Sequence, residues 1–212
     1  MNRMNYQKEL DKILEKLEGA PRLCLHSCCA PCSSYVLEYL KQFFKITVFY
    51  YNPNISASEE YRKRVAEQKR LIAAYNEMGD GYPIEIVEGD YEPERFFEMA
   101  KGLEECAEGG ERCFRCYEMR LLETVKLARE GQYDYFCTTL TISPLKNCEK
   151  LNEIGFRLAE EFGVSWLPSD FKKKNGYKRS VELSKEYDLY RQSFCGCAFS
   201  KAQAVREGRC EE

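Results

Sequence analysis

The sequence has no apolar run long enough to cross a membrane, because a spanning helix needs about 20 consecutive apolar residues and charged residues interrupt every such stretch here. The first 20 residues form a charged amphipathic segment that lacks the apolar centre of a secretory signal. These two absences argue against an integral membrane protein. They predict a cytoplasmic protein with no membrane partner.

The sequence also lacks a glycine-rich phosphate loop after its first predicted strand, Arg22–His26. Cys28 and Cys29 occupy that turn instead, and Ser33 is the expected N-cap of the helix that follows. A tRNA-thiolating or adenylating enzyme of the same broad fold would need an ATP loop at this position, so that function ranks last. Cysteines at a strand-to-helix turn favour metal or redox chemistry.

A strong charge of one sign is absent as well, since 32 lysines and arginines stand against 35 aspartates and glutamates and give a formal charge of −3. A nucleic-acid partner would therefore need a local basic patch. Arg62–Arg64 is one candidate patch. The other, Lys172–Arg179, is interleaved with aromatic residues, namely Trp166, Phe171 and Tyr177. The second patch predicts base stacking and phosphate contacts with RNA; the alternative is that both patches are solvated faces.

Strand and helix patterns alternate along the chain, which predicts an α/β fold with a single doubly wound, mostly parallel Rossmann-like sheet. We expect one domain over 1–212, with an N-terminal helix in 1–20. Residues 168–212 are expected to form a C-terminal extension with a flap, a Cys-Gly-Cys segment and a short helix. The first connecting helix is predicted over 34–42. Ser56 and Glu59 are predicted to form a capping box for a helix that reaches Met78.

Cysteine is the residue type in excess, because twelve are present, roughly three to four times average usage. Clustered thiols in a cytosolic protein are more often metal ligands or redox groups than structural disulfides. Cys28 and Cys29 follow the first strand, and Cys113 and Cys116 open the helix that leads to the fourth. Since parallel strands share one carboxyl edge, all four are predicted to converge there if the strand order reverses between strands one and four.

Four converging thiolates can hold a zinc ion or a [4Fe-4S] cluster. Adjacent cysteines strain a compact tetrahedral site, so Cys28 and Cys29 favour the larger cluster or two neighbouring metal ions. The alternative is that these cysteines are buried apolar residues. Cys195 and Cys197, with one glycine between them, favour a strained, oxidising disulfide over a solvated or metal-bound pair. Of the other six, three are predicted to be core thiols (Cys24, Cys137, Cys148) and three have no assigned role (Cys32, Cys106, Cys210).

Two further polar residues lie near the predicted carboxyl edge. His26 ends the first strand, and a hydrogen-bonded structural role and acid-base chemistry are both open for it. Asp90 follows the third strand and is predicted to be catalytic, as a proton donor or as a ligand of a second metal ion. The alternative for Asp90 is an ordinary turn residue.

Five motifs in order resemble the QueH-type epoxyqueuosine reductases, and the resemblance extends from about Leu23 to Ser200. The motifs are LHSCCAPC (Leu25–Cys32), YNPNI (Tyr51–Ile55), RCFRCY (Arg112–Tyr117), TTLTISP (Thr138–Pro144) and YRQSFCGC (Tyr190–Cys197). The fold that this resemblance implies is similar to the adenine-nucleotide hydrolase-like Rossmann sheets. Cys106 lies where the family pattern would place acidic or proline residues, so no role is carried over to it.

The resemblance implies an oxidoreductase for the last step of queuosine biosynthesis. Its substrate would be tRNA with epoxyqueuosine at the wobble position. The reaction would remove the epoxide oxygen with two electrons, which an unidentified electron donor would supply. It implies a redox disulfide between Cys195 and Cys197 and a [4Fe-4S] cluster held by Cys28, Cys29, Cys113 and Cys116. A second adjacent metal ion, iron, stays open. The alternative from another class is a zinc-stabilised tRNA-binding module without redox activity.

Overall fold

The computed structural model of the protein describes residues 4–210, so the outermost residues of the predicted domain, 1–3 and 211–212, lie outside the described residues. Its strands are β1 (Arg22–His26), β2 (Lys45–Tyr50), β3 (Glu85–Glu88), β4 (Tyr135–Thr138) and β5 (Ser165–Trp166). They form one sheet in the order β3-β2-β1-β4-β5, and every neighbouring pair is parallel. The predicted α/β, Rossmann-like sheet is confirmed.

Helices cover both faces of this sheet. They are α1 (Tyr6–Leu14), α2 (Ala30–Leu40), α3 (Ser58–Met78), α4 (Pro93–Ala100), α5 (Glu111–Glu130), α6 (Cys148–Phe162), α7 (Gly176–Glu186) and α8 (Ala198–Arg206). A 3-10 turn, Thr139–Ile142, follows β4. Within residues 4–210, no helix combines the length and the apolar character needed to cross a membrane.

The core lies in two layers because side chains alternate along each strand. Leu23 and Leu25 of β1 pack with α1, α2 and α3 on one face of the sheet. Cys24, between them, packs with Phe136 and with α5 and α6 on the other face. The central strands are buried on both faces, as is typical of parallel sheets between helix layers.

The strand order reverses at β1, which has β2 on one side and β4 on the other. Chain segments that leave the carboxyl ends of β1 and β4 therefore turn to opposite faces and leave a crevice between them. The four cysteines at 28, 29, 113 and 116 were predicted to lie near this crevice. That prediction depended on a reversal of strand order between strands one and four, and the observed sheet has this reversal.

Helix α2 begins four positions before the predicted 34–42, and Ser33 is not its cap. The N-cap is Cys29, in extended backbone, and Pro31 stands in the first turn, where its fixed φ favours helix initiation. Ser33 lies inside the helix, with Oγ 2.9 Å from Cys29 O. The early start places three cysteine side chains around a single turn.

The predicted capping box of α3 is wrong for a tertiary reason. The helix begins at Ser58 with Ala57 as N-cap. Ser56 Oγ accepts a hydrogen bond from Ala198 N (2.9 Å), so its hydroxyl holds α8 instead of α3.

The predicted basic loop over 171–179 is partly helical, because α7 begins at Gly176 and packs against α2. A Cβ at Gly176 would lie 2.0 Å from Phe171 O and 2.4 Å from the Tyr35 ring, so only glycine permits this close approach. Phe171 is fully buried in the core. The start of the segment called a flap from sequence is thus anchored to the sheet layer below it.

Candidate active site

Three cysteines form a compact group at the turn from β1 to α2. The Sγ atoms of Cys28, Cys29 and Cys32 all lie within 4.8 Å of one another, and those of Cys28 and Cys29 are 3.7 Å apart. Within residues 4–210, no other set of three or more His, Cys, Asp or Glu residues is close enough to hold one metal ion. Sequence analysis left Cys32 unassigned, although the C-x-x-C spacing of Cys29 and Cys32 was a signal for it.

The compact group favours one negative charge. Hydrogen bonds from the thiols of Cys29 and Cys32 hold the pKa of Cys28 well below its usual value, and the Arg120 guanidinium acts in the same direction. The hydroxyl of Thr139, the first residue of the 3-10 turn after β4, lies 3.7 Å from Cys28 Sγ. A thiolate is the form of cysteine that binds metals and reacts with disulfides.

Cys113 and Cys116 line a second, enclosed cavity together with Cys195 and Cys197. Helix α5 begins at Glu111, so its first two turns carry the first pair, and Gly109 N donates to Cys113 Sγ (3.2 Å). Cys197 is the N-cap of α8, and its Sγ accepts from Ser200 N (3.3 Å). Burial raises the pKa of Cys116 to about 12, while the nearby Arg120 opposes this shift.

The enclosed cavity offers positive charge and unpaired polar atoms. Arg112, Arg120 and Lys146 line it. Two of its buried donor groups, Arg112 Nε and Tyr117 OH, have no hydrogen-bond partner among the described residues. A buried donor without a partner is costly unless a ligand or water satisfies it. Four thiols and three cations thus give this cavity a lining that favours an anionic group.

A larger, open cavity of about 300 Å³ adjoins the enclosed one. The compact cysteine group lines it, and so do the loop after the 3-10 turn and the segment that leads to Cys195. Three residues, Glu108, Lys146 and Cys195, line both cavities. The structure therefore places Cys28 and Cys29 in one cavity and Cys113 and Cys116 in the adjoining one, with Cys195 between the two pairs.

Arg64 of α3 holds the Cys195–Cys197 segment. Its side chain is buried and pairs with Glu60 at 2.6 Å. Nη1 donates to Cys195 O (2.9 Å), and the backbone carbonyl of Gly196 accepts from Ser56 N (3.1 Å). The segment is thereby attached to the β2–α3 connection at the carboxyl edge of the sheet.

His26 has a structural place in this site. His26 Nε2 lies 3.2 Å from both Arg120 Nε and the backbone carbonyl of Tyr51, and His26 Nδ1 lies 2.8 Å from Thr138 Oγ1. Burial and the charge of Arg120 lower the pKa of His26 to about 3. Arg120 Nη2 also donates to Asn52 Oδ1 (2.5 Å). A neutral His26 thus helps to orient Arg120 towards Cys116, and the acid-base alternative loses its support.

Asp90 is not brought to the cysteines. It is exposed, it follows the edge strand β3, and it lines neither the open nor the enclosed cavity. Two strands separate its strand from β4, where the open cavity's loop begins. The structure therefore gives no support to the catalytic role predicted for it.

The aromatic part of the predicted RNA patch is smaller than expected. Trp166 is buried and donates to Asn152 Oδ1 (3.1 Å), and Phe171 is fully buried, so neither side chain is free to stack on a base. Tyr177 is 41% exposed and lines the open cavity. Lys172 donates to Thr141 O (2.9 Å), and Lys173 is exposed.

Comparison with known proteins identifies the family. The family model "Epoxyqueuosine reductase QueH" matches residues 23–203. A Staphylococcus epidermidis protein named epoxyqueuosine reductase QueH is 43% identical over 97% of this chain and 87% of its own length. Proteins of the same name from Streptococcus pyogenes (42%; 96% and 81%) and Thermotoga maritima (34%; 83% and 88%) are also similar. The chain belongs to the epoxyqueuosine reductase QueH family.

Proposed function

We propose that this chain is an oxidoreductase that converts epoxyqueuosine in tRNA to queuosine, the last step of queuosine biosynthesis. Two electrons and two protons enter, both C–O bonds of the epoxide break, a C=C bond forms, and the oxygen leaves as water. The observation that carries the proposal is an open cavity lined by Cys28, Cys29, Cys32 and Cys195 in a chain of this family. A cavity of about 300 Å³ suits a single modified nucleoside.

The proposal includes a [4Fe-4S] cluster held by Cys28, Cys29, Cys113 and Cys116. The support is the position of both pairs around adjoining cavities, together with the cations and the unpaired donors that surround the second pair. When bound, such a cluster supplies electrons one at a time. Cys32, the third thiol of the compact group, is the proposed ligand of a second metal ion, iron.

Cys195 and Cys197 are proposed to store the two electrons. Oxidation of two thiols to a disulfide releases two electrons and two protons, which matches what the epoxide consumes. Both residues are thiols in the structure, and Cys195 faces the open cavity where the substrate would bind. An external electron donor must then reduce the disulfide before the next turnover.

The protein's own side chains would bind the nucleoside and exclude water. Leu140, Ile142 and Pro144 form one wall of the open cavity, and Phe194 lies opposite, next to Cys195. Apolar walls of this kind protect a reduced intermediate and strengthen charge interactions at the reacting bonds. Asp90 has no part in the proposal because it is exposed and lies apart from both cavities.

The second candidate is a zinc-stabilised tRNA-binding module without redox activity. The observation that favours it is the three-thiol group, because three cysteines within 4.8 Å also suit a zinc ion with a fourth ligand.

The two candidates are separated by chemical analysis of protein purified without oxygen. The reductase predicts about four irons and four labile sulfides per chain, a brown colour that dithionite bleaches, and conversion of epoxyqueuosine tRNA. Cys116→Ser should lose labile sulfide, while Cys210→Ser, which changes a cysteine outside both cavities, should not. Zinc without labile sulfide, and no conversion after reconstitution with iron and sulfide, would overturn the proposal in favour of the zinc module.

A further inference from the structure

Lys146 is a buried cation in the wall between the two cavities. Its side chain is 7% exposed, it lies in the loop after the 3-10 turn, and it lines both cavities. Nζ is 2.6 Å from Oε1 of Glu108, whose side chain is 9% exposed and which comes from the loop before α5. Lysine is rarely buried unless it is paired, and a buried ion pair is often no more stable than apolar residues of similar volume. Stability alone therefore does not account for this pair.

The ammonium of Lys146 has capacity for a ligand. In the part of the chain that the structure describes, Nζ meets one acceptor, Glu108 Oε1, and an ammonium has three N–H groups. Burial lowers the pKa of Lys146, but Cys195, Tyr117 and Glu108 together outweigh burial and hold the pKa well above its usual value. Lys146 is thus a lasting positive charge with donors to spare beside Cys195.

Of the other two cations that line the open cavity, one is engaged by several acceptors and the other is exposed to water, which screens its charge. Arg64 uses its guanidinium on Glu60 and on the carbonyls of Phe194 and Cys195. Arg191 is exposed and donates to Ser184 Oγ (2.9 Å). Lys146 is the one of the three that is buried and has free donors.

We propose that the Lys146 ammonium donates a hydrogen bond to the epoxide oxygen and stabilises the negative charge that forms on it when the C–O bond breaks, which makes Lys146 a catalytic residue. This inference rests on the proposed function. The electrons come from the dithiol of Cys195 and Cys197, which becomes a disulfide, and the two thiol protons balance the water that leaves. Lys146 keeps its own proton and acts through its charge, which a water-poor site strengthens. Glu108 acts by positioning Lys146.

The test compares Lys146→Met with wild type in single-turnover conversion of epoxyqueuosine tRNA. Loss of one preorganised donor to a developing oxyanion costs about 100- to 1,000-fold in rate, so we expect a loss of that size. Lys146→Arg should retain part of the rate, because the charge stays. Lys126→Met, an identical change at a half-exposed lysine of α5 that lines neither cavity, is the matched control and should leave the rate unchanged.

A second measurement does not depend on turnover. Without reductant, the wild type should bind tRNA with epoxyqueuosine more tightly than tRNA with queuosine, because only epoxyqueuosine has the epoxide oxygen that Lys146 is proposed to bind. Lys146→Met should lose this preference while it binds queuosine tRNA as before. If Lys146→Met fails to fold because Glu108 is left unpaired, the double variant Lys146→Met, Glu108→Gln removes the unpaired charge and should show the same losses.

The outcomes separate this inference from the proposed function. Wild-type turnover together with a double variant that keeps its rate and its preference for the epoxide would overturn the role of Lys146 alone. A wild-type protein that converts no epoxyqueuosine tRNA, with its metal site loaded, would overturn both.

Discussion

Cys197 has two tasks that one substitution separates. Its Sγ accepts a hydrogen bond from Ser200 N and so caps α8, and its thiol lines the enclosed cavity next to Cys195. Serine is among the best N-cap residues and would keep the first task. It has no redox chemistry and would lose the second.

We therefore predict that Cys197→Ser folds with wild-type stability and metal content but does not convert epoxyqueuosine tRNA, in single or in multiple turnover. The reason is that the remaining thiol of Cys195 cannot form the internal disulfide that stores two electrons. Iron, labile sulfide, thermal unfolding and conversion of epoxyqueuosine tRNA with a physiological reductant are the measurements. Cys106→Ser, a cysteine outside both cavities, is the matched control. Full turnover by Cys197→Ser would remove the proposed role of the pair.

At the scale of single residues, the sequence predicted the positions of the cysteines better than those of the charged residues around them. The strand pattern that ends at His26 predicts where Cys28 and Cys29 lie, because the turn after a strand in a parallel sheet has a known edge. Lys146 has no such signal, since its burial depends on how a distant loop brings Glu108 to it. The catalytic role predicted for Asp90 gains no support because the strand that Asp90 follows, β3, lies at the edge of the sheet.

The Cys195–Cys197 segment is attached to α3 and to the connection that precedes α3. Arg64, Ser56 and Asn54, all on α3 or on the connection that precedes it, contact its backbone or its first thiol. Gly196, between the two cysteines, has a φ of 120°, which side chains rarely permit. A Cβ there would lie 2.9 Å from Ile55 Cγ1 and 3.1 Å from Arg64 Nη1.

Gly196→Ala should therefore displace the segment and impair the reaction. We expect a loss of stability of about 1 kcal/mol or more from the positive φ alone, and a fall in turnover because Cys195 moves away from the open cavity. Gly208→Ala is the matched control: its φ is 68° and nothing lies within 4 Å of a Cβ, so it has the strain without the clash. Thermal unfolding and turnover are measured for both variants. Equal turnover in the two would show that the position of the segment is not critical.

Element types and order were predictable from sequence, and helix starts were not. β1 has its predicted bounds, because an apolar run bounded by polar residues defines a buried strand. The starts of α2 and α3 were misplaced because serines at 33 and 56 suggested local caps. Pro31 starts α2 earlier, and Ala198 takes the hydroxyl that would have capped α3. Local capping rules are overridden when a distant segment offers a better partner.

The whole molecule has little net charge to attract RNA. Its formal charge is −3, and several cations of the predicted patch are paired, for example Lys174 with Asp11 and Arg179 with Glu38. Tyr177 and Lys173 stay exposed in the same region, and Tyr177 lines the open cavity. Few phosphate contacts imply a weak dependence of tRNA binding on salt.

We predict that Tyr177→Ala raises the Kd for substrate tRNA roughly 10-fold, because stacking of one base on an aromatic ring is worth about 1–3 kcal/mol. Lys173→Ala should instead lower the slope of log Kd against log salt by about 1, the change expected for one lost phosphate contact. Binding is measured by titration at several salt concentrations, with Lys101→Ala, an exposed lysine that lines neither the open nor the enclosed cavity, as control. If both variants bind tRNA with the wild-type Kd and salt slope, the wobble nucleoside must reach the open cavity across a different surface. That result would contradict the predicted RNA patch and leave the proposed reaction unaffected.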